Sequence, residues 1–176
     1  MEWQMATSLT GTLKNQLRMT FDAGSALGTT SDDVLGATNY WNWTIENGTS
    51  ADQADLVFRD QRTLALSTSE NLDLAGGLTD AYGTTITFVK VKLIYVKAKS
   101  DNGGNIIIGG AAANTFVGPF ADATDKVKVP AGGMFQVGDA TTGWTVTAGT
   151  GDILKVENDD GSDSGTYDII IVGTSA

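Results

Sequence analysis

The sequence predicts an all-β domain, and three observations carry that prediction. Between residues 87 and 172, short runs rich in β-branched and aromatic residues alternate with turns rich in glycine and aspartate. Glycine is abundant at 22 residues and proline scarce at 2, a balance that suits many tight turns rather than a proline-rich linker. Lysine and glutamate, the usual fillers of surface helices, are sparse beside alanine and threonine. Roughly ten short strands at this spacing fit a sandwich or a closed barrel.

The N-terminal stretch stands apart. Over residues 12–21, Leu13, Leu17, Met19 and Phe21 alternate with Lys14, Gln16, Arg18 and Thr20, with one exception at Asn15. A helix through Leu9, Leu13 and Leu17 is weakened by Gly11 and the nearby threonines. Residues 22–38 are small and polar, a connector. The chain therefore divides into an extended N-terminal arm and connector, residues 1–35, and a β-sandwich domain, residues 36–176.

Within the second part, Trp41, Trp43 and Ile45 share one face of an alternating strand, which Asn47-Gly48 ends with a turn. Ala54, Leu56 and Phe58 alternate again, followed by an apolar run at residues 63–66. Ser67 and Glu70 have capping-box spacing, but Leu72 and Leu74 alternate and Gly76-Gly77 follows too soon for a helix, so a strand is expected. Residues 76–85 read as a loop. The longest expected strand covers residues 87–99, with Val89, Val91, Leu93 and Tyr95 on one face and Lys90, Lys92, Ile94 and Val96 on the other. Ile86 and Phe88 have the opposite parity, which a β-bulge near Phe88 and Val89 would reconcile.

Asp101-Asn-Gly-Gly104 reads as a hairpin turn returning through residues 105–108. Gly109-Gly-Ala-Ala-Ala113 is too small to fill a core and suggests close approach to another backbone or a subunit. Further strands are expected at residues 115–117, 126–129, 134–137 and 144–147. Residues 153–157 and 166–172 flank a polar loop, a hairpin signal.

Composition removes most chemistry. The chain has 176 residues and neither histidine nor cysteine, so Ser-His-Asp and Cys-His centres, thiolate metal sites and disulfides cannot be built. No phosphate-binding glycine loop occurs. The net charge of −10, from 21 acidic and 11 basic residues, opposes direct nucleic-acid binding. Neither a secretory signal nor a bilayer-length apolar run is visible, which predicts a soluble protein made in a cytoplasm.

Carboxylates remain. Glu46, Glu70 and Glu157 are the glutamates a glycosidase could use, against a plain reading as solvent-facing strand positions. Asp159, Asp160 and Asp163 share one loop but miss calcium-loop spacing, and a solvated turn suits them better. Tyr40, Trp41 and Trp43 could stack on a sugar, although alternating aromatics more often anchor a core or an interface. Trp3 could anchor into a partner. Lys90, Lys92, Lys97 and Lys99 lie on one strand, as edge protection or as a docking stripe for an acidic neighbour.

Several segments together resemble a family of small structural proteins of tailed bacteriophages. They include Ala51-Asp-Gln-Ala-Asp-Leu56, Leu72-Asp-Leu-Ala-Gly-Gly-Leu-Thr-Asp-Ala-Tyr82, Gly109-Gly-Ala-Ala-Ala-Asn114, Asp122-Ala-Thr-Asp-Lys126, Pro130-Ala-Gly-Gly133, Gly143-Trp-Thr-Val-Thr-Ala148 and Tyr167-Asp-Ile-Ile-Ile-Val-Gly173. The resemblance implies a β-sandwich, often of jelly-roll type, with no catalytic residue and no cofactor. It implies a virion component, and within that class a capsid decoration, or cement, protein is expected. Its partner would be the major capsid protein, and it would act on the capsid exterior as a homo-oligomer, with a trimer favoured, binding neither nucleic acid nor membrane. The expected partner-binding residues are Trp3, Leu9, Leu13, Leu17, Trp41, Trp43, Lys90 and Lys92. Two other classes stay open: a head spike, collar or tail appendage that binds a host glycan, and a polysaccharide-cleaving enzyme using carboxylates alone.

Overall fold

A computed structural model describes residues 8–15 and 41–176. The readings placed on Trp3, Leu17, Tyr40 and residues 22–38 lie outside these. The described residues hold thirteen strands and no helix: β1 (Gly11–Asn15), β2 (Trp41–Ile45), β3 (Leu56–Leu64), β4 (Ser69–Asp73), β5 (Leu78–Thr79), β6 (Thr85–Ile86), β7 (Lys90–Ala98), β8 (Ile106–Gly109), β9 (Lys126–Val129), β10 (Met134–Gly138), β11 (Trp144–Thr145), β12 (Ile153–Asn158) and β13 (Gly165–Thr174). The molecule is all-β, with the layered antiparallel sheets of a β-sandwich.

One sheet runs β10-β7-β13-β3, with β11 also paired to β7; the other runs β4-β12-β8-β9. Every pairing within both is antiparallel. Two small ribbons, β1–β2 and β5–β6, complete the set. The main core lies between the large sheets. Phe58, Ile94, Val96, Tyr167, Ile169 and Ile171 from one sheet cluster with Leu72, Ile106, Ile108, Val129, Leu154 and Val156 from the other. In β12 the inward residues alternate with half-buried ones, the period-2 signature of a strand with one covered face.

The sheet that contains β13 is covered on both faces. Ile169 and Ile171 enter the main core, while Val172 joins a second cluster on the outer face with Trp43, Ile45, Ala54, Leu93 and Ala140. Leu9, Val57 and Ile170 pack against that cluster, so β2 and the segment before β1 lie over this outer face.

Three expectations about pairing are corrected. Strands β12 and β13 form where expected but do not pair with each other: β12 lies between β4 and β8, and β13 between β3 and β7. Strands β7 and β8 likewise flank the turn at residues 101–104 but belong to different sheets. A short glycine-rich turn fixes a reversal of direction; at a sandwich corner the returning strand crosses to the opposite layer and finds partners distant in sequence. Strand β7 is also not an edge, since β13 flanks it on one side and β10 and β11 on the other, so its lysines are not edge protection.

The bulge lies at Lys92 rather than near Phe88 and Val89. Val172 pairs with Leu93 and Gly173 with Val91, leaving Lys92 unmatched. That extra residue lets Val91 and Ile94 both reach the main core although they are three apart. Residues 76–85, read as a loop, contain the β5–β6 ribbon, and the strand expected at residues 115–117 reduces to a single bridge from Thr115 to Ile153. The small-residue run at residues 109–113 does approach another backbone: a Cβ on Gly109, where φ is 99°, would lie 2.5 Å from the Asp125 carbonyl.

Candidate functional site

Of the expected partner-binding residues, Leu9, Trp43 and Lys92 lie at the outer face of the β13 sheet. Trp43 is 2% exposed and its indole Nε1 donates to the Asp52 carbonyl at 2.8 Å. Ala54 N–H donates to the Glu46 carbonyl at 3.0 Å, folding residues 46–54 into a compact turn. Leu9 is half-buried against the same cluster, and its N–H donates to Asn47 Oδ1 at 2.9 Å. Leu13 lies opposite Trp43 in the β1–β2 register, and Trp41 lies opposite Asn15.

Lys92 is buried at 1% exposure, in the bulge beneath this turn. Its ammonium donates to the Ser50 carbonyl at 2.7 Å and the Gln53 carbonyl at 2.8 Å. Burial lowers its pKa, the charge of Lys90 adds to that, and Asp52, Asp139 and Asp55 work against it. A buried ammonium must be hydrogen-bonded, and two carbonyls of one turn meet that need. Trp43 and Lys92 therefore clamp the β2–β3 connection onto the sheet, and neither presents a surface to a partner. That burial is a correction for both residues, and it also removes Trp43 from any exposed sugar platform. Lys90 is half-buried at the start of β7, opposite Thr145 and Thr174.

A second polar assembly lies where the edge strands β3 and β4 meet. Arg62 Nε donates to Glu70 Oε2 at 2.7 Å, and its Nη1 reaches Asp60 Oδ2 at 3.0 Å. The Tyr167 hydroxyl donates to Glu70 Oε1 at 2.7 Å while its ring lies wholly inside the core. The hydrogen bond that Arg62 donates to Glu70 holds its guanidinium protonated well above its ordinary range, and desolvation raises Tyr167 strongly. Asp60 and Glu70 thus bracket one guanidinium.

Glu157 and Asp159 also have structural partners. Glu157 accepts from Lys155 at 2.7 Å, and that bond lowers its pKa. Asp159 accepts from Asn105 N–H at 2.6 Å and from the Asn105 amide, and pairs with Lys128 at 3.3 Å. Burial pushes its carboxyl up, but these donors outweigh it and hold it below the usual range. Buried Asn158 donates to the carbonyls of Ala65 and Asp163, and Asn102 Nδ2 donates to the Thr166 carbonyl. The turns at residues 65–68, 101–105 and 159–164 are thereby laced together. No group of three or more acidic side chains positioned for a metal ion occurs among the described residues.

No protein-family model matches the chain, and no curated protein matches it. Sequence reasoning singled out Glu70 but missed Arg62 and Tyr167. Tyr167 is almost a hundred residues from Glu70, and nothing local announces that pairing. The one available signal was the charged interruption Arg59-Asp-Gln-Arg62 inside β3, where an edge strand exposes side chains on both faces.

Proposed function

We propose that this chain is a structural protein of a tailed-bacteriophage virion, a capsid decoration protein that binds the outer capsid surface as a homotrimer. The observation that supports it best is the strand order. In each of the successive pairs β3–β4, β7–β8, β9–β10 and β12–β13 the two strands lie in different sheets. Sheets ordered β10-β7-β13-β3 and β9-β8-β12-β4 support reading the sandwich as an eight-stranded jelly roll, an architecture used by viral capsid and lectin domains. Fold alone does not choose a function; the phage-like segments tip the choice toward the virion. The ion-paired carboxylates favour a structural part over a reaction centre.

The mechanism is mechanical. Apolar area buried across capsid subunit boundaries contributes about 25 cal/mol per Å² before association costs, and many copies add up over a shell. Trp3, ahead of the described Ser8, is the contact residue of this reading.

The test is co-sedimentation of the full chain with expanded empty capsids assembled from the major capsid protein of the same phage, with light scattering of the free chain. Saturable occupancy and a trimer mass are expected. Trp3→Ala should lower occupancy while the thermal midpoint stays unchanged. A larger deletion, of residues 1–20, would also remove β1 and Leu9 and so disturb the outer cluster. Absence of the chain from sedimented capsids would overturn the reading.

A further inference from the structure

We propose that the groove between the free edges of β3 and β4 binds a neutral saccharide unit. The groove has a volume of 310 Å³, at the small end of ligand pockets and on the scale of a sugar ring or two. Residues of β3 and β4 line it together with residues 77–81, which include β5.

Sugar hydroxyls donate and accept at once, so they suit donors and acceptors set side by side. The groove supplies them. Arg62 and Asp60, 3.0 Å apart, present a donor and an acceptor next to each other. Asn71 adds an amide carrying both, Thr79 a hydroxyl and Asp80 a carboxylate. Arg59 is exposed, lines the same groove, and has no hydrogen-bond or ion-pair partner among the described residues. Its guanidinium carries five N–H donors that no described residue engages.

The residue that follows this lining segment is Tyr82, which is 83% exposed. Its turn is fixed: Asp80 Oδ1 accepts from the N–H groups of Tyr82 and Thr84, both at 2.8 Å. An aromatic ring held in water on an ordered turn offers an apolar face with a polar tip, the complement of a sugar ring.

Neutral rather than acidic sugars are assigned because Arg59 and Arg62 are balanced within the groove by Asp60 and Asp80, and the chain as a whole carries −10. That field repels polyanions. The site is separate from the clamp at Trp43 and Lys92, and it does not depend on capsid binding, because sugar binding is read on the free chain.

The experiment is amide chemical-shift mapping of the full chain with methyl glycosides of glucose, galactose, mannose, rhamnose and N-acetylglucosamine. Glucuronate and sialic acid form the acidic arm. At least one neutral glycoside should move the amides of Arg59, Asn71, Thr79 and Tyr82 with millimolar affinity. Arg59→Ala and Tyr82→Ala should each weaken that binding by about fivefold or more, roughly 1 kcal/mol, with the thermal midpoint unchanged. Silence at these amides with every neutral glycoside, movement with the acidic sugars alone, or unchanged binding in both variants would overturn the proposal.

Discussion

Tyr167 carries two demands that its neighbours meet separately. Its ring fills the space between the sheets, and its hydroxyl, which cannot be left unpaired there, donates to Glu70. Glu70 in turn holds Arg62. Tyr167→Phe removes one hydrogen bond and should cost about 1 kcal/mol, whereas Glu70→Ala strands both the hydroxyl and the guanidinium and should cost about 2–3 kcal/mol. Urea unfolding of the two variants measures the difference; a Glu70→Ala loss no larger than that of Tyr167→Phe would show that the two donors find other partners. Little of this was legible beforehand. A run of strand-forming residues placed Tyr167 inside a strand, but a side-chain network joining β3, β4 and β13 becomes visible only once pairing is known. Lys92 was misread for a related reason: a lysine on a strand reads as exposed, and only the bulge places its stem beneath carbonyls that satisfy it.

At the scale of elements, strand positions were legible and strand partners were not. Period-2 alternation and strand-forming runs between turns are local signals, so β2, β3, β4, β9, β10, β12 and β13 appeared close to where they lie. Pairing is non-local: β13 reaches across more than a hundred residues to β3. The bulge in β7 shows how a partner imposes local structure. Gly173 sits at the register shift, and a Cβ there would collide with the Lys90 carbonyl and lie 2.7 Å from the Phe88 ring. Gly173→Ala should therefore cost about 1–3 kcal/mol, as overpacking does. Gly161→Ala, with only an ordinary contact to Ser67 at 3.8 Å, should stay within about 0.5 kcal/mol of the parent. Thermal unfolding of both checks this, and equal midpoints would mean that the bulge has room to relax.

For the whole molecule, the ionisation pattern sets an acid limit. Glu157, Asp159 and Asp168 all titrate below their ordinary values, Asp168 chiefly through the hydrogen bond from Gln61 and also through Lys99. Their folded values lie under their unfolded ones, so their stabilisation is complete above the ordinary carboxylate range and disappears as pH falls through the depressed values. Each is partly exposed and contributes at most about 1 kcal/mol. Urea midpoints should hold from neutral pH down to about 5 and fall below about 4, with Asp159→Asn flattening the fall; an unchanged profile in that variant would remove Asp159 from the account. On the alkaline side two groups oppose each other. Lys92, lowered by burial, adds stability as pH rises from its folded value toward the ordinary one, whereas Tyr167, raised by burial, loses its contribution as pH climbs past its ordinary value.

The order of strands within each sheet also constrains how the chain acquires its shape. Strands β12 and β13 come last in sequence, yet each lies in the interior of its sheet. Until residues 153–174 are available, β3 and β4 have no strand partner in the large sheets, and β7 and β8 each lack one neighbour. Loop closure over such distances is slow, and unpaired edges invite pairing with other chains. The sandwich therefore closes late, and a chain halted before residue 153 would leave uncovered the four strand edges that β12 and β13 otherwise occupy.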